Sequence, residues 1–249
     1  RKNRLNVPEV LYDNPGRHIA LVEDLGEKDL LSLADQPWEV REPYYRSALE
    51  QLDRLFYIRL PRDLELSPPF GPEIYAWEQD YFIDNFVEQH LGLDGTALRD
   101  HEELSRLSKN LGASHRNLVH RDFQSQNLIL HEEKTWIIDF QGLRLGRQEY
   151  DLASLIYDPY LDHSEEDQNK LLDLWEEISE ERPVPELLRD CAIQRLMQAL
   201  GAYAYILHEQ RNDWYAQHIS AGAKLLLAQI EDTPLDDLLR PILEGAVEK

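Results

Sequence analysis

The chain has 249 residues, with 26 Lys plus Arg against 48 Asp plus Glu, a formal net charge of −22. That length suits one large domain or two small ones, enough to bury about three quarters of the surface the unfolded chain exposes. The charge argues against nucleic acid and anionic membranes as partners, because phosphates are repelled. It leaves room for a small anionic ligand held with a metal ion.

In chain order, Val7–Leu11 and His18–Val22 read as two short strands around the turn signal Asp13-Asn14-Pro15-Gly16. From Pro43 to Ile58 the apolar residues Tyr44, Tyr45, Ala48, Leu49, Leu52, Leu55 and Phe56 recur at helical spacing. A second helix is expected over Pro72–Leu91, rich in aromatic residues. A third, over Thr96–Leu111, has Gly112 as its C-cap. The period then changes. Leu118-Val119 is a short apolar run, and Leu128–Leu130 and Trp136–Ile138 read as strands joined through His131-Glu132-Glu133-Lys134. Beyond them the pattern is helical. Ser164 opens a helix with Glu165, Glu166 and Asp167 in its first turn, where the helix dipole favours acids. Further helices are expected over 185–209, 213–230 and 234–243. The fold class is therefore α+β, a mostly helical body with small β elements.

Cys191 is the one cysteine, so neither a disulfide framework nor a cysteine-based zinc site can form within the chain. No run approaches the roughly 20 apolar residues of a membrane helix, and no signal peptide or lipidation motif is visible. A reducing, cytoplasmic setting is expected.

The chemistry concentrates in His120-Arg121-Asp122-Phe123-Gln124-Ser125-Gln126-Asn127, of the form H-R-D-x-x-x-x-N, and in Asp139-Phe140-Gln141-Gly142, which begins 12 residues after Asn127. A carboxylate such as Asp122 can orient a hydroxyl and accept its proton. An amide oxygen from Asn127 and a carboxylate from Asp139 are hard oxygen ligands suited to Mg²⁺, which neutralises charge on a transferring phosphoryl group. Two adjacent strands between Asn127 and Asp139 would bring both to one end of a hairpin.

These motifs resemble the signature of the protein-kinase-like superfamily. Leu118–Asp122, Ile138-Asp139-Phe140, Gly146 and Tyr150-Asp151-Leu152-Ala153, with no Ala-Pro-Glu afterwards, resemble its aminoglycoside phosphotransferase and choline kinase branch. Asp139-Phe140-Gln141, Tyr150-Asp151-Leu152, Ser154-Leu155 and the run from Gln194-Arg195 to Leu200-Gly201-Ala202-Tyr203 look most like that branch's cell-wall amino-sugar kinases, which act on the anomeric hydroxyl of N-acetylmuramic acid or N-acetylglucosamine.

The resemblance implies a helical C-lobe with a remnant of the N-lobe sheet, residues 1–26 forming that remnant and the hinge and 27–249 the C-lobe. It implies ATP and Mg²⁺ as cofactors, Asp122 as base, and Asn127 and Asp139 as metal ligands. His120 would brace the catalytic loop and Asp151 would anchor it, alone or together with capping the next helix. Backbone groups of Glu23, Asp24 and Leu25 would meet adenine. Before that hinge the chain has only Lys2 and Gly16 to offer a phosphate-covering loop, and it begins at Arg1 without Met, so it is expected to be a fragment that binds ATP poorly alone. The acceptor would be a small-molecule hydroxyl, preferably of an amino sugar. An aminoglycoside or choline-type kinase and a non-catalytic small-molecule binding module are the alternatives. Sugars stack on aromatic faces and donate hydroxyls to carboxylates, which nominates Trp77, Glu78, Gln124 and Asp158 for the substrate side, although the aromatic cluster around Trp77 also suits an ordinary core. Oligomeric state is not legible.

Overall fold

The structure is a computed structural model that describes residues 5–61, 63–113 and 116–247. It begins with a two-stranded antiparallel hairpin, β1 (Val10–Asn14) and β2 (Ile19–Val22). The first strand lies three residues later than the apolar run suggests. The turn is responsible: Asn14 Oδ1 accepts the Arg17 N–H at 3.1 Å, and His18 takes the left-handed conformation with φ 53°, so Asp13 and Asn14 stay in the strand.

Helix α1 (Trp38–Phe56) starts upstream of Pro43 and buries Tyr45, Ala48, Leu49, Leu52, Leu55 and Phe56, the face its periodicity marks. Helix α2 (Pro72–Phe82) runs on through a wider-turned segment, Ile83–His90. Along that continuous rod Phe82, Phe86 and His90 stack in succession. Helix α3 (Glu102–Gly112) begins later than its pattern, with the His101 ring accepting the Glu103 N–H. Gly112 is the last helical residue rather than the C-cap, which is Ala113; glycine is required there by packing, since a Cβ would meet the Pro72 nitrogen at 2.5 Å.

The middle of the chain makes two more antiparallel pairs. Strand β3 (Asn117–Val119) pairs with β6 (Arg144–Gly146), a strand the sequence pattern does not announce, and β4 (Leu128–His131) pairs with β5 (Lys134–Ile137). Glu132 and Glu133 both adopt positive φ in the tight turn between β4 and β5, the geometry two-residue hairpin turns demand.

The rest is helical: α4 (Gln148–Ile156), α5 (Glu165–Ser179), α6 (Pro185–Glu209), α7 (Ala216–Ile230) and α8 (Asp236–Val247). The Ser164 hydroxyl caps α5 by accepting the Asp167 N–H. Helix α6 is the axis of the core, packed against α2, α4 and α7. Gly201 lets α6 approach α2 closely, since a Cβ there would lie 2.9 Å from the Tyr81 carbonyl oxygen and 3.0 Å from the Phe82 Cα. Among the described residues no helix is long and apolar enough to cross a membrane.

Candidate active site

Strand β3 delivers the chain directly into His120. The next residue, Arg121, sits at φ 82°, a left-handed conformation that a long side chain occupies only when its surroundings enforce it. Asp151 enforces it. Helix α4 starts at Gln148 rather than at Leu152, so Asp151 lies inside its first turn and its carboxylate accepts the backbone N–H groups of His120 at 2.6 Å and Arg121 at 2.8 Å. Burial pushes the Asp151 carboxyl up to about 7 in spite of those two donors. Just past the other end of α4, buried Asp158 accepts the N–H groups of Ser125 at 2.7 Å and Tyr160 at 2.9 Å. Carboxylates flanking one helix thus clamp the loop 120–127 at its start and near its end.

The β4–β5 register does the remaining positioning. Leu128 pairs with Ile137, and the ladder extends one step further, where the Ile138 N–H donates to the Asn127 carbonyl at 3.0 Å. Asn127 and Asp139 are therefore brought to the same end of the hairpin. Asn127 Nδ2 donates to the Asp122 carbonyl at 2.8 Å, which leaves its side-chain oxygen as the acceptor end of the amide. Asp139 occupies φ 62° and its carboxylate accepts from the Gln141 amide. His120 is buried and its Nε2 lies 2.8 Å from the Ile138 carbonyl oxygen, tying the start of the loop to the strand that carries Asp139. Burial pushes the His120 imidazole below its ordinary value.

Asp122, Gln124, Asn127 and Asp139 line a cavity of about 320 Å³. Residues of α6 and its surroundings complete the lining, with Arg195 and Gln198 and the aromatic residues Tyr160, Tyr203 and Tyr215. A carboxylate base and hard oxygen donors around one space can deprotonate a hydroxyl while a polarised phosphoryl group is held beside it.

Other residues singled out from the sequence lie elsewhere. Trp77 is 55% exposed on α2, stacked on Tyr81, and does not line the cavity. Glu78 is fully buried behind the catalytic loop, accepting from the Tyr150 hydroxyl at 3.2 Å and the Gln194 amide at 3.1 Å, with the Arg121 guanidinium 3.7 Å away. Burial pushes its carboxyl up to about 7. Asp158 faces the loop backbone rather than the cavity. Glu23, Asp24 and Leu25 follow β2: the Glu23 N–H donates to the Glu9 carbonyl at 2.8 Å, Asp24 Oδ1 accepts from the Gly26 N–H at 2.9 Å, and Leu25 is buried. The chain then runs beside β4, where the Leu130 N–H donates to the Lys28 carbonyl at 2.7 Å. Sequence reasoning gave no role to Arg195 or to the three tyrosines of the lining. The one signal available was an arginine set in a strongly apolar helix, where a charged residue is rarely buried without a specific partner.

Residues 1–187 match the phosphotransferase enzyme family. The N-acetylmuramate/N-acetylglucosamine kinase of Neisseria meningitidis serogroup B is 27% identical over 231 residues, 86% of this chain and 68% of that protein. The enzyme of the same name from Pseudomonas aeruginosa is 24% identical over 258 residues, 97% of this chain and 75% of that one. Among solved structures, an ADP-bound aminoglycoside phosphotransferase superposes with a TM-score of 0.54 at 16% identity, covering 92% of this chain and 77% of its own. The loop clamped by Asp151, the hairpin end that joins Asn127 to Asp139, and this match over three quarters of the sequence together make the chain a member of the phosphotransferase enzyme family, a kinase on the protein-kinase-like fold.

Proposed function

We propose that the chain transfers the γ-phosphoryl group of ATP to a hydroxyl of an amino sugar. The observation that carries this reading is the convergence of Asp122, Asn127 and Asp139 on one cavity that tyrosines also border. The relatives named as kinases of N-acetylmuramate and N-acetylglucosamine support the choice of acceptor.

In this reading an Asp122 carboxylate oxygen accepts the proton of the acceptor hydroxyl. The acceptor's hydroxyl oxygen, freed of that proton, bonds to the γ-phosphorus as the bridging bond to the β-phosphate breaks, and ADP leaves with the electron pair. Among the described residues no three His, Cys, Asp or Glu side chains gather to hold a metal by themselves. The Asn127 oxygen and Asp139 carboxylate nevertheless fit Mg²⁺, which takes one or two protein oxygens and completes its shell with phosphates and water. When bound, the ion neutralises charge on the phosphates. The chain's own residues do the rest: Asp151 and Asp158 hold the loop, Gln124 faces the acceptor, and Tyr215 borders the cavity over the buried, mutually packed rings of Tyr160 and Tyr203. Residues 1–26 act as the hairpin and hinge of the nucleotide side, with backbone groups of Glu23 to Leu25 toward adenine, and residues 27–249 as the helical lobe. Trp77, Glu78 and Asp158 have no place against the acceptor in this arrangement.

A coupled ADP-release assay with Mg-ATP, run on this chain and on the upstream-extended protein, tests this against N-acetylmuramic acid, N-acetylglucosamine, aminoglycosides and choline. Turnover with an amino sugar alone is the expected result. Turnover confined to an aminoglycoside or choline overturns the choice of acceptor. Sugar binding without ADP release overturns the reaction in favour of a binding module.

A further inference from the structure

Arg195 is a charged side chain in the middle of the core helix, with only 7% of its side chain exposed. Its neighbour Gln194 pins that stretch of α6 to α2. The Gln194 amide donates to the Tyr75 carbonyl at 3.0 Å and to Glu78 at 3.1 Å, and accepts from the Gln79 amide at 3.0 Å. Arg195 then reaches across toward the catalytic loop. Its Nε donates to the Ser154 hydroxyl on α4 at 3.1 Å, and one terminal nitrogen donates to Gln198 on its own helix. The other donates to Gln124 Oε1 at 2.7 Å and lies 3.6 Å from Asp122 Oδ1. The Asp122 side chain is 35% exposed on the cavity side.

This is a poor arrangement for stability alone. Burial costs the guanidinium its hydration, its direct acceptors are neutral amides and a hydroxyl, and what holds it charged is chiefly the nearby Asp122 carboxylate, whereas an apolar residue of similar size would often serve a core better. It is a good arrangement for holding a base. The planar fork of arginine keeps its donors in fixed relative directions, so one rigid group spans both Asp122 and the residue two positions on.

We infer that Arg195 is a positioning residue for the phosphoryl transfer: it fixes the Asp122 carboxylate toward the acceptor hydroxyl and sets Gln124 beside it. The inference rests on the proposed role of Asp122 as base. Arg195 acts through Asp122, so its loss should fall on turnover rather than on nucleotide binding. Lysine keeps the charge but loses the fork, and should serve only in part.

The test is a set of variants of the full chain, Arg195→Gln, Arg195→Lys, Asp122→Asn and the Asp122→Asn/Arg195→Gln double variant, assayed with Mg-ATP and N-acetylglucosamine. Circular dichroism reports folding, and Arg195→Lys keeps the test open if Arg195→Gln folds poorly. Arg195→Gln should lower kcat about 100-fold, the scale on which misplacing a catalytic group is felt, with KM for Mg-ATP unchanged. Arg195→Lys should fall between it and the parent. In the Asp122→Asn background Arg195→Gln should have no further effect, because residues that act as a unit are not additive. A merely structural arginine would instead lower activity by the same factor in both backgrounds, and that result overturns the inference. So does unchanged kcat in both Arg195 variants while Asp122→Asn is inactive. Full turnover by Asp122→Asn would remove the base assignment itself, a separate failure.

Discussion

The molecule contains two antiparallel hairpins of nearly equal size that meet opposite fates. In β1–β2 the side chains of Val10, Leu11, Tyr12, Ile19, Leu21 and Val22 are all half exposed or more. In β4–β5, Leu128, Ile129, Thr135 and Ile137 are buried. An isolated two-stranded ribbon is marginal in water, and the second is not isolated. The Thr135 N–H donates to the Ser47 hydroxyl at 3.0 Å and its hydroxyl to the Tyr44 carbonyl at 2.8 Å, both on α1. The Ile137 N–H donates to the Asn6 carbonyl at 2.9 Å. The difference teaches where rigidity is needed. The hairpin that carries Asn127 and Asp139 at its end is bonded and packed from several sides, whereas the apolar strands of the first meet solvent, an exposure that marks interaction surfaces.

Three changes break or sharpen this contrast. The largest effect is expected at the clamp beside the buried hairpin. Asp151→Ala leaves two buried N–H groups without an acceptor and should cost about 4 kcal/mol, read as a lower denaturation midpoint, with the loop 120–127 losing amide protection. Next is the pH dependence of stability. Burial raises the Glu78 carboxyl from 4.5 to about 7, so between those values the folded chain holds a proton that the unfolded chain has released. The stability this contributes is complete below about pH 4.5 and is lost as pH rises through about 7, up to about 3 kcal/mol. Glu78→Gln should flatten the slope of melting temperature over that window, and an unchanged slope would assign it to other groups. The smallest effect is a matched pair. Ile137→Ala in β5 should cost about 3 kcal/mol, while Leu21→Ala in β2 should stay within about 0.5 kcal/mol. Equal costs would erase the distinction between the hairpins.

Much of this was legible in the sequence because it is local. Helical spacing marked α1 and α6, Ser164 marked the start of α5, and the spacing of Asp122, Asn127 and Asp139 implied a hairpin that joins the last two. What escaped reading is set by partners far along the chain. Arg195 meets Gln124 across 71 residues, and Glu78 meets Gln194 across 116. No periodicity reports such pairs, so Glu78 read as a candidate for sugar hydroxyls and Arg195 as one residue of a motif. Trp77 shows the converse: its aromatic character was plain, but the face of α2 that it occupies depends on where α6 packs.

In the proposed function the end of the β4–β5 hairpin forms, with the clamped loop, a metal-assisted phosphoryl-transfer site. The most direct test is the Mg²⁺ concentration needed for half-maximal ADP release, compared between the chain and Asp139→Asn. The variant should need at least about tenfold more Mg²⁺, the scale of loss when a carboxylate in the metal's surroundings is removed, with its fold unchanged by circular dichroism. An unchanged Mg²⁺ requirement at normal turnover would contradict it.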